Sequence, residues 1–320
     1  MPEVTCVGVV VADVIVRPVD AWPQPGRLSL VEHIELHGGG LAYTTAVTLA
    51  KLGVSSAVVG RVGGDPLGTY LADGLRAHGV EVHLRQDAES RTAATVVTVT
   101  SGGERSFLHL LGANGRLVAQ DVPDELLARS RVLHLGGFFI LPALDGPPAA
   151  ELFRRAKAAG CRTSLDTAWD PQGRWMSALA PCLPYVDLLF GNQEELTSVA
   201  GVRDPGAIGA ALRARGVGVV AVKMGEAGAY VDGGSWRGHV PAFAVPAVDT
   251  TGAGDAFCGG FLAGYLAGWD LETSTRFANA VGGLCVTAVG GTTGVRSRDE
   301  TLRFLETAPV RRPASNDRGG

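Results

Sequence analysis

The run "TCVGVVVA" from Thr5 to Ala12 is apolar and β-branched, the pattern of a strand buried on both faces of a parallel sheet, and it ends at Asp13. "AYTTAVTLAKLG" reads as a helix stopped by Gly53, "SSAVVGRVG" as a strand, and "PLGTYLADGLRAHG" as a helix with Pro66 in its first turn. The alternation continues through the strand "RVLHLGGF", a helix from about Gly146 to Gly160, and the strands "CRTSLDT" and "DLLFGN". The helices "QEELTSVAG" and "DPGAIGAALRARG" follow, then the strand "VGVVAVKMG". This order predicts an α/β fold with a mainly parallel sheet and right-handed crossovers, whose ligands gather at the carboxyl ends of the strands.

Two segments break the rhythm. Residues 14–37 and 92–111 have β character without following helices, and the second turns as a hairpin at "SGG". They are expected to form a small sheet standing on the main one as a lid. Residues 1–308 read as one domain, and 309–320, polar and ending in glycine, as a frayed tail.

With 46% hydrophobic and 19% charged residues, the 320-residue chain can bury a large core. A net charge of −4 without a basic stripe argues against a nucleic-acid partner. The opening "MPEVTCVGVV" has no basic leader region, and every apolar run breaks well before the roughly 18 residues of a membrane span, so the cytoplasm is the expected compartment. Cys6, Cys161, Cys182, Cys258 and Cys285 form no CxxC pair and no zinc spacing, and read as buried thiols.

The chemistry concentrates in "VDTTGAGDAFCGGF", Val248 to Phe261. After Gly254, Phe257, Phe261, Leu262, Tyr265 and Leu266 have the spacing of one helical face, so "TTGAG" lies at a helix N-terminus. Unpaired amides, a positive dipole end and glycines that admit a phosphate make an anion hole there. Asp255, in the first turn, fits either a residue that stabilises the dipole or a general base where a hydroxyl meets an incoming phosphoryl group. The chain has no P-loop motif and lacks the third glycine of a dinucleotide fingerprint, which leaves a dehydrogenase as a weak rival.

These residues resemble the ribokinase-like, or PfkB, carbohydrate kinases, from about Val4 to Leu305. "GGGLAYTTAVTLAKLG" is similar to the family's N-terminal glycine signature and "VGRVGGDPLGTYLADGLRAHGV" to the segment after it. "GERSFLHLLGAN" resembles the lid strand and its Asn114 end, "NQEE" the Asn-x-x-Glu motif, and "VKMGEAG" the nucleotide-side glycine loop. "DTTGAGDAFCGGF" resembles the C-terminal signature, and "FANAVGGLCVTAVGG" the segment that follows.

The resemblance implies a three-layer α/β/α fold with a small β lid, and transfer of the γ-phosphoryl group of ATP to a hydroxyl, usually the primary one, of a sugar or nucleoside. Asp255 would be the base, and the amides of Gly252, Ala253 and Gly254 the anion hole. Asp13, Gly39, Gly40, Thr44 and Asn114 would line the sugar site. Asn192, Lys223, Gly225, Gly228, Gly254 and Asn279 would flank ATP, with Glu195 reaching Mg²⁺ through water. Alone, Asn192 and Glu195 fit a helix cap and a surface acid, and Asp13 a turn former. Some members bind a monovalent cation such as K⁺ beside the anion hole, at positions matching Asp249, Thr251, Ala288 and Gly290. Some are homodimers joined through their lids.

Thr44 stands where the family often has asparagine, and Ala168 and Asp170 stand where an Asp-x-Asn-x-Arg strand end would have asparagine and arginine. A sugar-acid substrate would lack its arginine clamp, unless Arg105, His109 or Arg174 replaces it. Phe138, Phe139 and Trp169 on strand ends could sandwich a base, which makes a nucleoside kinase the alternative. A non-catalytic binding protein of the same fold is the rival from another class, and the intact Asp255 argues against it.

Overall fold

The apolar run that opens the chain is divided between two sheets. In the computed structural model, which describes residues 1–311, β1 (Val4–Gly8) lies in a large sheet and β2 (Val11–Arg17) in a small one. The single strand expected from Thr5 to Ala12 therefore breaks at Val9 and Val10. Gly8, at φ 139°, interrupts the β-branched run and ends β1, and tertiary hydrogen bonds hold the break that follows it. The Val9 amide donates to Gly136 and its carbonyl accepts from Ala42, while the Asn114 side chain bonds both backbone groups of Val10, at 3.3 and 2.9 Å.

The chain continues through β3 (His33–Gly39), α1 (Leu41–Lys51), β4 (Ser56–Gly63) and α2 (Pro66–Ala77), then β5 (Glu81–Asp87), β6 (Ala94–Val99) and β7 (Arg105–Leu110). Next come α3 (Asp124–Arg129), β8 (Val132–Phe138), α4 (Pro147–Ala158), β9 (Arg162–Thr167), α5 (Trp175–Leu179), β10 (Leu188–Asn192), α6 (Gln193–Ala200) and α7 (Pro205–Arg213). Three strands, β11 (Val219–Lys223), β12 (Ala229–Asp232) and β13 (Arg237–Val240), lead to α8 (Ala253–Leu266), α9 (Leu271–Cys285) and α10 (Arg298–Thr307).

The large sheet has the order β13-β12-β11-β10-β9-β8-β1-β4-β5, parallel from β11 to β5 and antiparallel at β12 and β13. Its alternate residues serve opposite layers. Val7, Leu135, Leu165 and Leu189 pack with α3, α4, α6 and α7, whereas Cys6, Val58, Leu188 and Phe190 pack with α1, α2, α8 and α9. The result is a three-layer α/β/α body. The second sheet, β3-β2-β6-β7, stands beside it.

Val310 bridges Phe243, and the Arg311 amide donates to Ala242, so the expected tail is paired with the body as far as Arg311; 312–320 lie outside the described residues. Among the described residues no helix is long and apolar enough to cross a membrane. All five cysteines are buried free thiols.

Candidate active site

Gly252 caps α8 in the left-handed region at φ 74°, and a β-carbon there would lie 2.7 Å from Cα of Gly291. The same absent side chain would meet the Thr44 methyl group at 3.1 Å, so Thr44 packs against the anion-hole loop from α1. Asp255 follows in the first turn of α8, with the Thr45 hydroxyl donating to its backbone carbonyl. Burial and then the nearby Asp166 push the Asp255 carboxyl up to about 7, against the pull of Lys223. That value suits a group that must accept a proton near neutrality.

Beside this turn lies a cleft of about 210 Å³, which brings together Lys223, Gly225, Gly228, Gly254 and Asn279. Phe257, Val245 and Val286 give it apolar walls. Asn279 lines the cleft while its amide nitrogen donates to the carbonyls of Val240 and Pro241, anchoring the end of β13.

At the floor, Lys223 contacts both oxygens of Asp166, at 2.7 and 2.8 Å, and a β-carbon on Gly254 would sit 3.1 Å from its ammonium nitrogen. Burial works against the Lys223 charge, but Asp166 outweighs it and holds the ammonium protonated. Asp166 is a site residue that the sequence reading did not single out. The sheet order makes the pair: β9 and β11 flank β10, so carboxylate and amine project from strand ends on either side of it.

Asn192 and Glu195 form a reciprocal cap on α6. The Asn192 side chain accepts from the Glu195 amide at 2.8 Å, and the Glu195 carboxylate accepts from the Asn192 amide at 3.1 Å. Its oxygens also take the Asn192 side-chain amide and the Thr167 hydroxyl, both at 2.8 Å. Glu195 is thus a buried acid and not a surface one, and burial raises its carboxyl above the usual range.

On the wall made by the small sheet, Asp13 projects from β2. Burial pushes its carboxyl up to about 6, with the Thr95 hydroxyl and His37 pulling the other way. Gly39 on β3 leaves it room, for a β-carbon there would lie 2.1 Å from an Asp13 oxygen. Gly40 is the N-cap of α1.

Asn114 does not join this wall. It is fully buried, and its amide is spent on Val10, so its part is to fix the crossing between the sheets. The aromatic pair expected to hold a base is also displaced, since Phe138 and Phe139 belong to the core at no more than 1% exposure. Trp169 is exposed and stacks edge-on to Trp175. Arg174 is held by the Phe139 carbonyl, Asp145 and Asp170, which removes it as a carboxylate clamp. His109 bonds Thr95 within the small sheet.

Arg105 reaches from β7 to the anion-hole loop, 2.7 Å from Asp249, and donates to the Thr251 and Thr250 hydroxyls. Asp249 in turn accepts from the amides of Thr251 and Gly290. Burial raises its carboxyl, but these amides and Arg105 outweigh that and hold it below its usual range.

A glycine turn at the N-terminus of α8, a buried carboxylate in the first turn of that helix and an adjoining cleft are an arrangement suited to phosphoryl transfer. The profile of the pfkB carbohydrate kinases matches residues 1–298, and the chain belongs to that family. It is 32% identical to a fructokinase of Klebsiella pneumoniae over 83% of this chain and 91% of the relative. A structure of Arabidopsis thaliana ribokinase complexed with ribose and ATP superposes with a TM-score of 0.81 at 26% identity, covering 96% of this chain and 99% of the other. An adenosine kinase from Sinorhizobium meliloti gives 0.80 at 29%, covering 94% and 98%.

Proposed function

We propose that the protein transfers the γ-phosphoryl group of Mg·ATP to a hydroxyl, the primary one, of a free sugar. The observation that carries this reading is the placement of buried Asp255 in the first turn of α8, directly after Gly252, Ala253 and Gly254 at the helix N-terminus. ATP fits the cleft by Lys223, Gly225, Gly228 and Asn279, and the sugar fits between Asp13, Gly39, Gly40, Thr44 and the small sheet. Asp255 takes the hydroxyl proton as the phosphoryl group arrives, and the α8 amides stabilise charge on the transferred oxygens.

The residues present fit a magnesium ion that keeps most of its waters, because the Glu195 oxygens are already engaged by Asn192 and Thr167. Bound with ATP, such an ion would neutralise the phosphates. The set at Asp249, Thr251, Ala288 and Gly290 fits a monovalent cation poorly, since the Asp249 charge is met by Arg105. The core positions of Phe138 and Phe139 favour a sugar over a nucleoside. The outer face of the small sheet, with Ile34, Leu36, Leu108 and Leu110 exposed, suits pairing with a second copy in the cytoplasm.

The test is ADP release with Mg·ATP over ketoses, aldoses, sugar acids and nucleosides, with Asp255→Asn as the blank. A free sugar is expected to be the strong acceptor, and the variant should lose about 10²–10⁴ in turnover. As the base acts deprotonated, kcat/KM should rise with pH through about 7 and level above it. A nucleoside as the strong acceptor would replace the sugar reading. A variant within a few-fold of wild type would remove Asp255 from the role.

A further inference from the structure

Asp249 is 7% exposed and lies at the root of a loop that must receive an anion. A bare carboxylate there would be costly to bury and would repel a phosphate. The amides of Thr251 and Gly290, at 2.9 and 2.8 Å, satisfy its hydrogen bonds but bring no net charge. The charge comes from Arg105. Its side chain is 20% exposed, and one nitrogen lies 2.7 Å from Asp249 and 2.8 Å from the Thr251 hydroxyl, while the other lies 2.7 Å from the Thr250 hydroxyl.

The planar fork therefore does two jobs that a spherical ion would divide. It neutralises Asp249, and it fixes the two threonines that precede Gly252. A second contact follows from the opposite edge strand, where His37 of β3 lies so close to Gly290 that a β-carbon there would meet its ring at 2.5 Å. The small sheet touches the anion-hole region from both of its edges.

We propose that Arg105 supplies from the small sheet the positive charge that a monovalent cation would otherwise bring, so that the anion hole needs no such ion and is complete when the small sheet is closed over it. Arg105 is then a positioning residue, acting through Asp249, Thr250 and Thr251. The proposal rests on the kinase reading for its rate effect but not for its ion-binding effect.

The experiment compares KCl with tetramethylammonium chloride, measuring ADP release with Mg·ATP and the best acceptor sugar, and thermal midpoint without substrate. At matched ionic strength wild-type rates should agree within about twofold, and the midpoints should coincide. Arg105→Gln should be slower by about tenfold or more in tetramethylammonium, and K⁺ or added guanidinium should restore part of the loss. Its midpoint should rise in K⁺.

A wild-type rate or midpoint that climbs with K⁺ would overturn the proposal, as would an Arg105→Gln protein that ignores both cations. Absence of turnover with every sugar in every salt would instead count against the kinase reading. The midpoints would still decide the role of Arg105, because a K⁺ response confined to the variant supports it.

Discussion

In the large sheet, Leu135 and Leu165 face one helical layer and Val58 and Phe190 the other, all at 1% exposure or less. In the small sheet the two faces differ. Asp13, Thr95, His37 and His109 pair across one rung on one face, while Ile34, Leu36, Leu108 and Leu110 on the reverse are 39% to 69% exposed. The first sheet is specified by packing on both sides; the second is specified on one side by polar partners and is uncovered on the other. The same kind of substitution should therefore be read in stability in one and in binding or association in the other.

Asp166→Asn tests the large sheet hardest. It removes the carboxylate in direct contact with the buried Lys223 ammonium, leaving the more distant Glu195 and Asp255, and should cost about 3–5 kcal/mol of unfolding free energy in a denaturant titration. A loss below half that range would mean that water reaches Lys223. Asn114→Ala tests the junction, where it frees the Val10 amide and carbonyl from their partner, and should cost about 1–3 kcal/mol. Unchanged stability would show that solvent or a neighbour replaces the amide. The smallest stability effect belongs to the outer face of the small sheet. Leu108→Ser with Leu110→Ser should move monomer stability by no more than about 0.5 kcal/mol, yet convert a sedimenting dimer to monomer. A wild-type monomer would remove the pairing.

The same contrast explains what could be read from the chain alone. "TTGAGDAF" announces its geometry because capping, dipole and glycine effects are local, and the alternating strands and helices of the body are local too. The division of Thr5–Ala12 is local only at Gly8; the bonds that hold it depend on Gly136, Ala42 and Asn114, all distant in sequence. The edge strand β5, "EVHLRQD", was missed because its polar residues give no clear apolar stripe, and its pairing with β4 makes it a strand. Phe138 and Phe139 sit at a strand end, where aromatic residues suggest ligand contact; only the helices packed over them turn them into core. The pairings of Asp166 with Lys223 and of Arg105 with Asp249 needed the sheet order, which no local pattern contains.

The joint at Val9 and Val10 has a mechanical consequence. All four backbone groups of these two residues are bonded, to Gly136, Ala42 and Asn114, so the joint behaves as a weld and not as a hinge. Tilting of the small sheet must then be taken up as twist along β2 beyond residue 12, where Asp13 lies. A load applied at the far end, where Arg105 grips its loop, is carried along β2 into β1 at the heart of the body, and Asp13 rides on the part that twists.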